Sequence, residues 1–198
     1  LGDELMSVDN PAPAIFVYED FYKESSQLLE EVNKAAALEF SACPWIRATL
    51  GENKEISEYR SNLESSVSRA MSHPDPDFEP LKKEMIKFLK PLDRIIIDYR
   101  AVFQLYLTRD TGFSILRYEN SMEYKFHHDH SSLNQRVLSM IFFMNDNYEG
   151  GELEFPYHEV TIEPKAGKLV IFPANFPYSH IAHPIKSGTK YTMVTWYQ

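Results

Sequence analysis

Cysteine is nearly absent. The single Cys43 among 198 residues excludes an internal disulfide and fits a reducing compartment, so the cytoplasm is the expected location. Long apolar runs are missing as well. No stretch approaches the roughly 18 residues that a spanning helix needs, and the opening LGDELMSVDN has neither the basic nor the apolar part of a signal peptide. No membrane partner is expected. The chain begins at Leu1 rather than Met, which leaves room for a further N-terminal segment. Positive charge is in deficit: 20 Lys plus Arg stand against 29 Asp plus Glu, a net charge of -9. That balance works against a broad phosphate-binding surface, so nucleic acid is not an expected partner. Internal repeats and low-complexity tracts are absent too.

What is present suits one globular domain over residues 1–198, since 43% of the chain is hydrophobic and 14% aromatic. The texture changes near residue 110. Before it, Phe21, Leu28, Leu29, Val32, Ala36 and Leu38 recur at helical spacing. Residues 41–77, with Pro44, Pro74 and Pro76, read as loop with short helical pieces over 61–71. Residues 78–107 read as one long helix broken or kinked at Pro91. After Gly112 the chain breaks into eight short runs rich in Ile, Val, Phe, Tyr and Thr, over 113–118, 122–129, 136–144, 152–155, 159–162, 168–172, 179–182 and 191–197. The expected fold is α+β: an antiparallel jelly roll over 111–198 behind a helical and loop layer supplied by 1–110.

Within this second half, YKFHHDH places three histidines and an aspartate at 127–130. In an extended segment His127 and Asp129 share one face, while His128 and His130 share the other. An imidazole and a carboxylate side by side make two ligands of a facial site suited to ferrous iron, with positions left open for substrate and oxygen. A solvated turn is the competing reading of the motif alone. His180, in YSHIAHPI, is available as a third ligand, and Lys190 follows it just past Ser187-Gly188. A lysine buried on a barrel strand is costly unless an anion meets it. A dicarboxylate that chelates a metal at one end leaves its other carboxylate needing such a cation.

Taken in order, Tyr118, YKFHHD, Arg136, YEGGELEFP, SHIAHPIKSGTK and Trp196 resemble the 2-oxoglutarate- and iron(II)-dependent dioxygenases of the prolyl 4-hydroxylase type. The resemblance implies a double-stranded β-helix, cupin-like in form. It implies that His127, Asp129 and His180 hold Fe(II), that Lys190 binds the distal carboxylate of 2-oxoglutarate, and that Tyr118 hydrogen-bonds this cosubstrate. Trp196 would wall the cosubstrate pocket, Ile141 and Leu153 would line it with Phe143 and Ala182, and Arg136 would face the substrate. Each of these has a plainer reading from the residues alone: core packing for Trp196, Ile141 and Leu153, and a surface ion pair for Arg136. The cofactors implied are Fe(II), 2-oxoglutarate and O2, with ascorbate as reductant.

The activity implied is hydroxylation of an unactivated C–H coupled to decarboxylation of 2-oxoglutarate, with a prolyl residue of a peptide or protein as the first choice of target. A glycine at position 129 would resemble the related halogenases, so the carboxylate of Asp129 favours hydroxylation. Two other readings stay open: a hydroxylase of a free amino acid, another side chain or a small metabolite, and a non-catalytic metal-binding jelly-roll module. The chain departs from some relatives in carrying Leu153 where they have a threonine that helps hold the distal carboxylate. The substrate-loop region 41–77 matches only through Tyr59-Arg60-Ser61. His128, His130 and His183 fall outside the ligand set.

Overall fold

The structure is a computed structural model that describes residues 7–49 and 56–198. Residues 1–6 of the leader reading and 50–55 of the expected loop region lie outside the described residues. In the first half, strands β1 (Val8–Ala12) and β2 (Ile15–Tyr18) are followed by helix α1 (Ser25–Ala36). After these come β3 (Ile46–Arg47), β4 (Leu63–Ser66), α2 (Val67–Ser72) and α3 (Glu79–Phe103). The second half consists of β5 (Ser114–Glu119), β6 (Tyr124–His127), β7 (Leu138–Phe143), β8 (Glu149–Gly150), β9 (Leu153–Phe155), β10 (Val160–Ile162), β11 (Leu169–Pro173), β12 (His180–Ala182), β13 (Ile185–Ser187) and β14 (Thr189–Tyr197).

Eight strands form a major sheet in the order β1-β2-β11-β7-β14-β5-β4-β3. A minor sheet has the order β10-β9-β12-β6, and β13 pairs with β8. Alternation on the major sheet separates two packing surfaces. Leu138, Met140 and Phe142 of β7 pack in the same apolar cluster as Leu28, Leu81, Phe88 and Leu92 of α1 and α3. Phe143 joins Leu153, Phe155 and Phe172 in a second cluster, between the two sheets. The fold is thus a jelly roll backed by helices, and the inward face of β5, β7 and β14 becomes the wall of a cavity.

Two parts of the first half depart from expectation. Four of its strands join the major sheet: β2 pairs with β11 and β4 with β5. LESS has little intrinsic strand preference, and the free edge of β5 imposes the conformation. Pro11 in β1 is tolerated because β1 is an edge strand. The long helix runs unbroken through Pro91 and ends at Phe103 rather than Leu107, because Gln104 turns left-handed at φ 52°. Phe88 and Leu92, on either side of the proline, are both fully buried. That packing offsets the roughly 3 kcal/mol that an interior proline costs.

Candidate metal centre and its cavity

His127 closes β6 and His180 opens β12, and the two residues are direct cross-strand partners. Their rings lie 4.3 Å apart. Asp129 sits just past the strand, where its backbone N–H donates to the Ala174 carbonyl at 3.0 Å, so its side chain turns back toward the histidines. His127 Nε2 is 3.7 Å from Asp129 Oδ1, and His180 Nε2 is 3.8 Å from Asp129 Oδ2. One ligand atom from each of the three can be chosen so that all lie within 4.8 Å of one another, the requirement for a common ion. No other such group occurs among the described residues.

The remaining polar atoms of these side chains are already committed. His127 Nδ1 lies 2.7 Å from the Lys125 carbonyl and His180 Nδ1 3.1 Å from the Tyr178 carbonyl. Each carbonyl fixes the tautomer with the proton on Nδ1, leaving Nε2 with a free lone pair. Ser139 Oγ donates to Asp129 Oδ2 at 2.7 Å. Burial, together with the neighbouring His180, pulls the His127 pKa down to about 3, so its imidazole is neutral, the form that ligates metal. Burial alone would raise the Asp129 pKa; His180, His127 and the hydrogen bonds from Ser139 and Trp196 outweigh it and hold the carboxyl below its ordinary range. This donor set fits Fe(II): two imidazoles and one carboxylate that converge beside the cavity.

That cavity, with the open space at its mouth included, spans about 640 Å³. Every residue expected at the site lines it: His127, Asp129, His180, Tyr118, Lys190, Trp196, Ile141, Leu153 and Arg136, with Phe143 and Ala182 beside them. Lys190 is 2% exposed. It pairs with Tyr118 across β14 and β5, and its ammonium lies 5.3 Å from the ring centres of both Tyr118 and Phe143. Among the described residues its one hydrogen-bond partner is the Gly151 carbonyl, at 2.6 Å. Desolvation lowers its pKa from 10.5 to about 7, opposed by Glu152, while burial raises that of Tyr118 and keeps its phenol protonated. The Lys190 stem also explains Gly151, whose φ is +74°: a Cβ there would lie 2.6 Å from Ile185 Cδ1 and 3.0 Å from Lys190 Cδ.

Arg136 stacks over Trp196, Cζ to ring centre 3.6 Å, and its Nη1 is 3.9 Å from Asp129 Oδ1. His128 and His130 are exposed, with His130 Nδ1 against the Arg136 carbonyl at 2.8 Å. His183 pairs with Glu154 at 2.6 Å. None of the three reaches the centre. Sequence reasoning missed Ser139 and Tyr124. Tyr124 stacks on His127 at 3.5 Å with only 10° between the planes, although an odd spacing should put the two on opposite faces. A bulge explains it: three steps on β6 oppose two on β12, since Tyr124 pairs with Ala182 and His127 with His180. Arg60, noted only in passing in the sequence, also lines the cavity and lies over Tyr124 at 5.2 Å.

Comparison with known proteins agrees with this geometry. Residues 113–198 match the profile of the 2OG-Fe(II) oxygenase superfamily. "Probable prolyl 4-hydroxylase 3" of Arabidopsis thaliana is 22% identical over 229 residues, covering 98% of this chain and 72% of that protein. A PKHD-type hydroxylase of Synechococcus is 26% identical over 182 residues, covering 88% of this chain and 72% of that one. Among solved structures, a prolyl hydroxylase of Trichoplax adhaerens, in complex with a hypoxia inducible factor oxygen degradation domain peptide fragment, superposes with a TM-score of 0.74. It has 17% identity and covers 93% of this chain and 83% of that one. A Pseudomonas putida prolyl-4-hydroxylase gives 0.71 at 18% identity, covering 93% and 92%. These structures share the fold.

Proposed function

We propose, from the match of residues 113–198 to the 2OG-Fe(II) oxygenase superfamily, that the chain is an Fe(II)- and 2-oxoglutarate-dependent dioxygenase that hydroxylates a prolyl residue in a peptide or protein. One observation carries the reading. The cavity that holds the His127, Asp129 and His180 side chains also contains a buried ammonium, Lys190, whose one hydrogen-bond partner among the described residues is a carbonyl. A module that only bound metal would have no use for that cation, whereas a chelating dicarboxylate needs it. The prolyl target rests on the prolyl hydroxylases among the relatives.

His127 and His180 through Nε2, with Asp129, would hold the iron. When bound, Fe(II) with 2-oxoglutarate and O2 supplies the oxidant for C–H hydroxylation, the cosubstrate leaving as succinate and carbon dioxide. The protein's own share is positioning and exclusion of water. Lys190 receives the distal carboxylate, which replaces the solvation that burial removed. Tyr118, held protonated, offers a hydroxyl beside it, and Thr192, two residues along β14 on the same face, lines the cavity with a second hydroxyl in place of the threonine that Leu153 replaces. Ile141, Leu153 and Ala182 supply apolar walls, and Arg136, flat on Trp196, stands beside Asp129 to orient the substrate. No helix among the described residues is long and apolar enough to cross a membrane; the cytoplasm remains our proposed location.

The test is succinate release from 2-oxoglutarate with Fe(II) and ascorbate, alongside mass spectrometry of proline-containing peptides. Wild type should release succinate and add one oxygen atom to a prolyl peptide, and His127→Ala should fall to background. Equal succinate release by wild type and His127→Ala would end the enzyme reading. Turnover without any oxygenated prolyl peptide would end only the choice of substrate.

A further inference from the structure

The two imidazoles of the centre are not held alike. His180 opens β12, an inner strand of the minor sheet, and the rings of Phe155 and Phe172 flank it at 5.7 and 4.9 Å. His127 closes β6, the outermost strand of that sheet. Its Nδ1 contact with the Lys125 carbonyl, at 2.7 Å, fixes one corner of the ring and leaves the plane free to swing about that bond. What sets the plane is Tyr124, whose ring lies parallel to the imidazole at 3.5 Å with 10° between them. Arg60 Cζ stands over the same tyrosine, 5.2 Å from its centre, and Tyr59 meets it edge-on at 6.5 Å. Residues 59–61 are in turn laced to the outer edge of β6. Lys125 N–H donates to the Tyr59 carbonyl and Ser61 N–H to the Glu123 carbonyl, each at 3.0 Å, and the Tyr59 hydroxyl donates to the Phe126 carbonyl. Arg60 itself is anchored by Glu64 and by Asn62 Oδ1, each at 3.1 Å.

We propose that Tyr124 is a positioning residue for the metal centre, its ring holding the His127 imidazole in the plane that aims Nε2 at the ion, and that Arg60 acts on the centre through Tyr124. The inference rests on the metal-binding reading above and adds what keeps the ligand of the edge strand aligned. The lone pair of an imidazole lies in the ring plane, so a ring that swings turns its donor away from the metal, and outer groups that orient a ligand matter for that reason. Two observations favour this role over plain packing. The pair is nearly parallel, so the whole face of Tyr124 stands against rotation of the imidazole on that side. The bulge on β6 interrupts the pairing with β12 and is what brings these two side chains to one face. A cation over an aromatic ring is attracted to it, and the anchored Arg60 therefore holds Tyr124 where His127 needs it.

Metal binding tests this apart from turnover. Mn(II) is titrated into the protein without 2-oxoglutarate, and the free ion is followed by its electron paramagnetic resonance signal. Tyr124→Leu should bind Mn(II) about 10- to 100-fold more weakly than wild type, and Tyr124→Phe, which keeps the ring, within about threefold of it. Arg60→Gln should weaken binding about three- to tenfold, and in the Tyr124→Leu background it should have no further effect, because its route to the metal is gone. Circular dichroism of the metal-free proteins establishes that each is folded. Tyr124→Met, which fills the site without a flat face, duplicates Tyr124→Leu should that variant fail to fold. Wild-type affinity in either folded variant, or a Tyr124→Phe protein as weak as they are, overturns the positioning role. An Arg60→Gln effect of equal size in both backgrounds overturns the route through Tyr124. If wild type itself binds no Mn(II), the metal-binding reading falls and this inference with it. If wild type and the variants bind as expected but no succinate is released, the enzyme reading fails and the positioning role stands.

Discussion

Replacing Lys190 with methionine should make the protein more stable and less able to bind 2-oxoglutarate, two effects that a mere packing residue could not produce together. Lys190 is 2% exposed and bonded to one carbonyl. Without an anion its protonated form carries a desolvation penalty, expressed in the fall of its pKa from 10.5 to about 7. That fall corresponds to something on the order of 5 kcal/mol. The unfolded chain binds the proton up to about pH 10.5 and the folded chain only up to about pH 7, so between these values the unfolded state holds more protons and stability rises with pH. The penalty is therefore complete below pH 7 and relieved toward pH 10.5. Methionine has similar length and no charge, and replacing buried charge by well-packed apolar groups is stabilising by about 1–4 kcal/mol in comparable cases. At about 2–4 °C per kcal/mol for a chain of this size, the melting temperature at pH 7 should rise by at least about 2 °C, and its increase toward alkaline pH should flatten. Removing one partner of a buried charge pair costs about 2–5 kcal/mol, so 2-oxoglutarate affinity should fall between about 30-fold and several thousandfold. Differential scanning fluorimetry with and without 2-oxoglutarate reads both numbers. A Lys190→Met protein that melts lower than wild type, yet binds 2-oxoglutarate within about threefold of it, would refute the reasoning.

Ser139→Ala removes the hydroxyl that orients Asp129 Oδ2, and metal affinity measured by titration with Fe(II) or Mn(II) should drop about 10- to 100-fold with the circular dichroism spectrum unchanged. Gly151→Ala places a Cβ at 3.0 Å from Lys190 Cδ in a backbone with φ +74°, so it should raise the 2-oxoglutarate KM far more than it changes metal affinity. Phe88→Ala empties a site against Phe21, Tyr22 and Phe142, whose rings lie 5.4, 5.5 and 4.9 Å away; it should cost about 3–5 kcal/mol in denaturant unfolding.

The grouping of these site residues around one cavity is legible in the sequence because they are chemically unusual where they stand. A His-X-Asp pair that begins on the last residue of a strand, a histidine opening another strand and a lysine buried on an inner strand have few structural reasons to exist. Parity failed at Tyr124 because a bulge has no local signature in YKFH. Ser139 was invisible for a different reason: a serine in a strand reads as neutral until its partner is known, and Asp129 is ten residues away. The edges of the major sheet were also hidden. VDNPA and LESS become strands through pairing with β2 and β5, and nothing local in them favours that state. The continuous course of α3 through Pro91 has the same cause, since burial of Phe88 and Leu92 outweighs a local preference.

The two sheets carry separate halves of the site, and Asp129 joins them. The minor sheet supplies both histidines, while the major sheet supplies Tyr118, Lys190 and Trp196. Asp129 leaves β6 and is fastened to the other side twice, by its N–H to Ala174 just beyond β11 and by its carboxylate to Ser139 of β7. The distance between the sheets therefore decides whether the carboxylate meets the imidazoles. That distance is set by packing: Phe155 of β9 and Phe172 of β11 lie 4.8 Å apart, and both rings contact His180, at 5.7 and 4.9 Å. Interior packing resists compression and transmits displacement. It follows that the spacing of the three candidate ligands depends on the aromatic layer between the sheets.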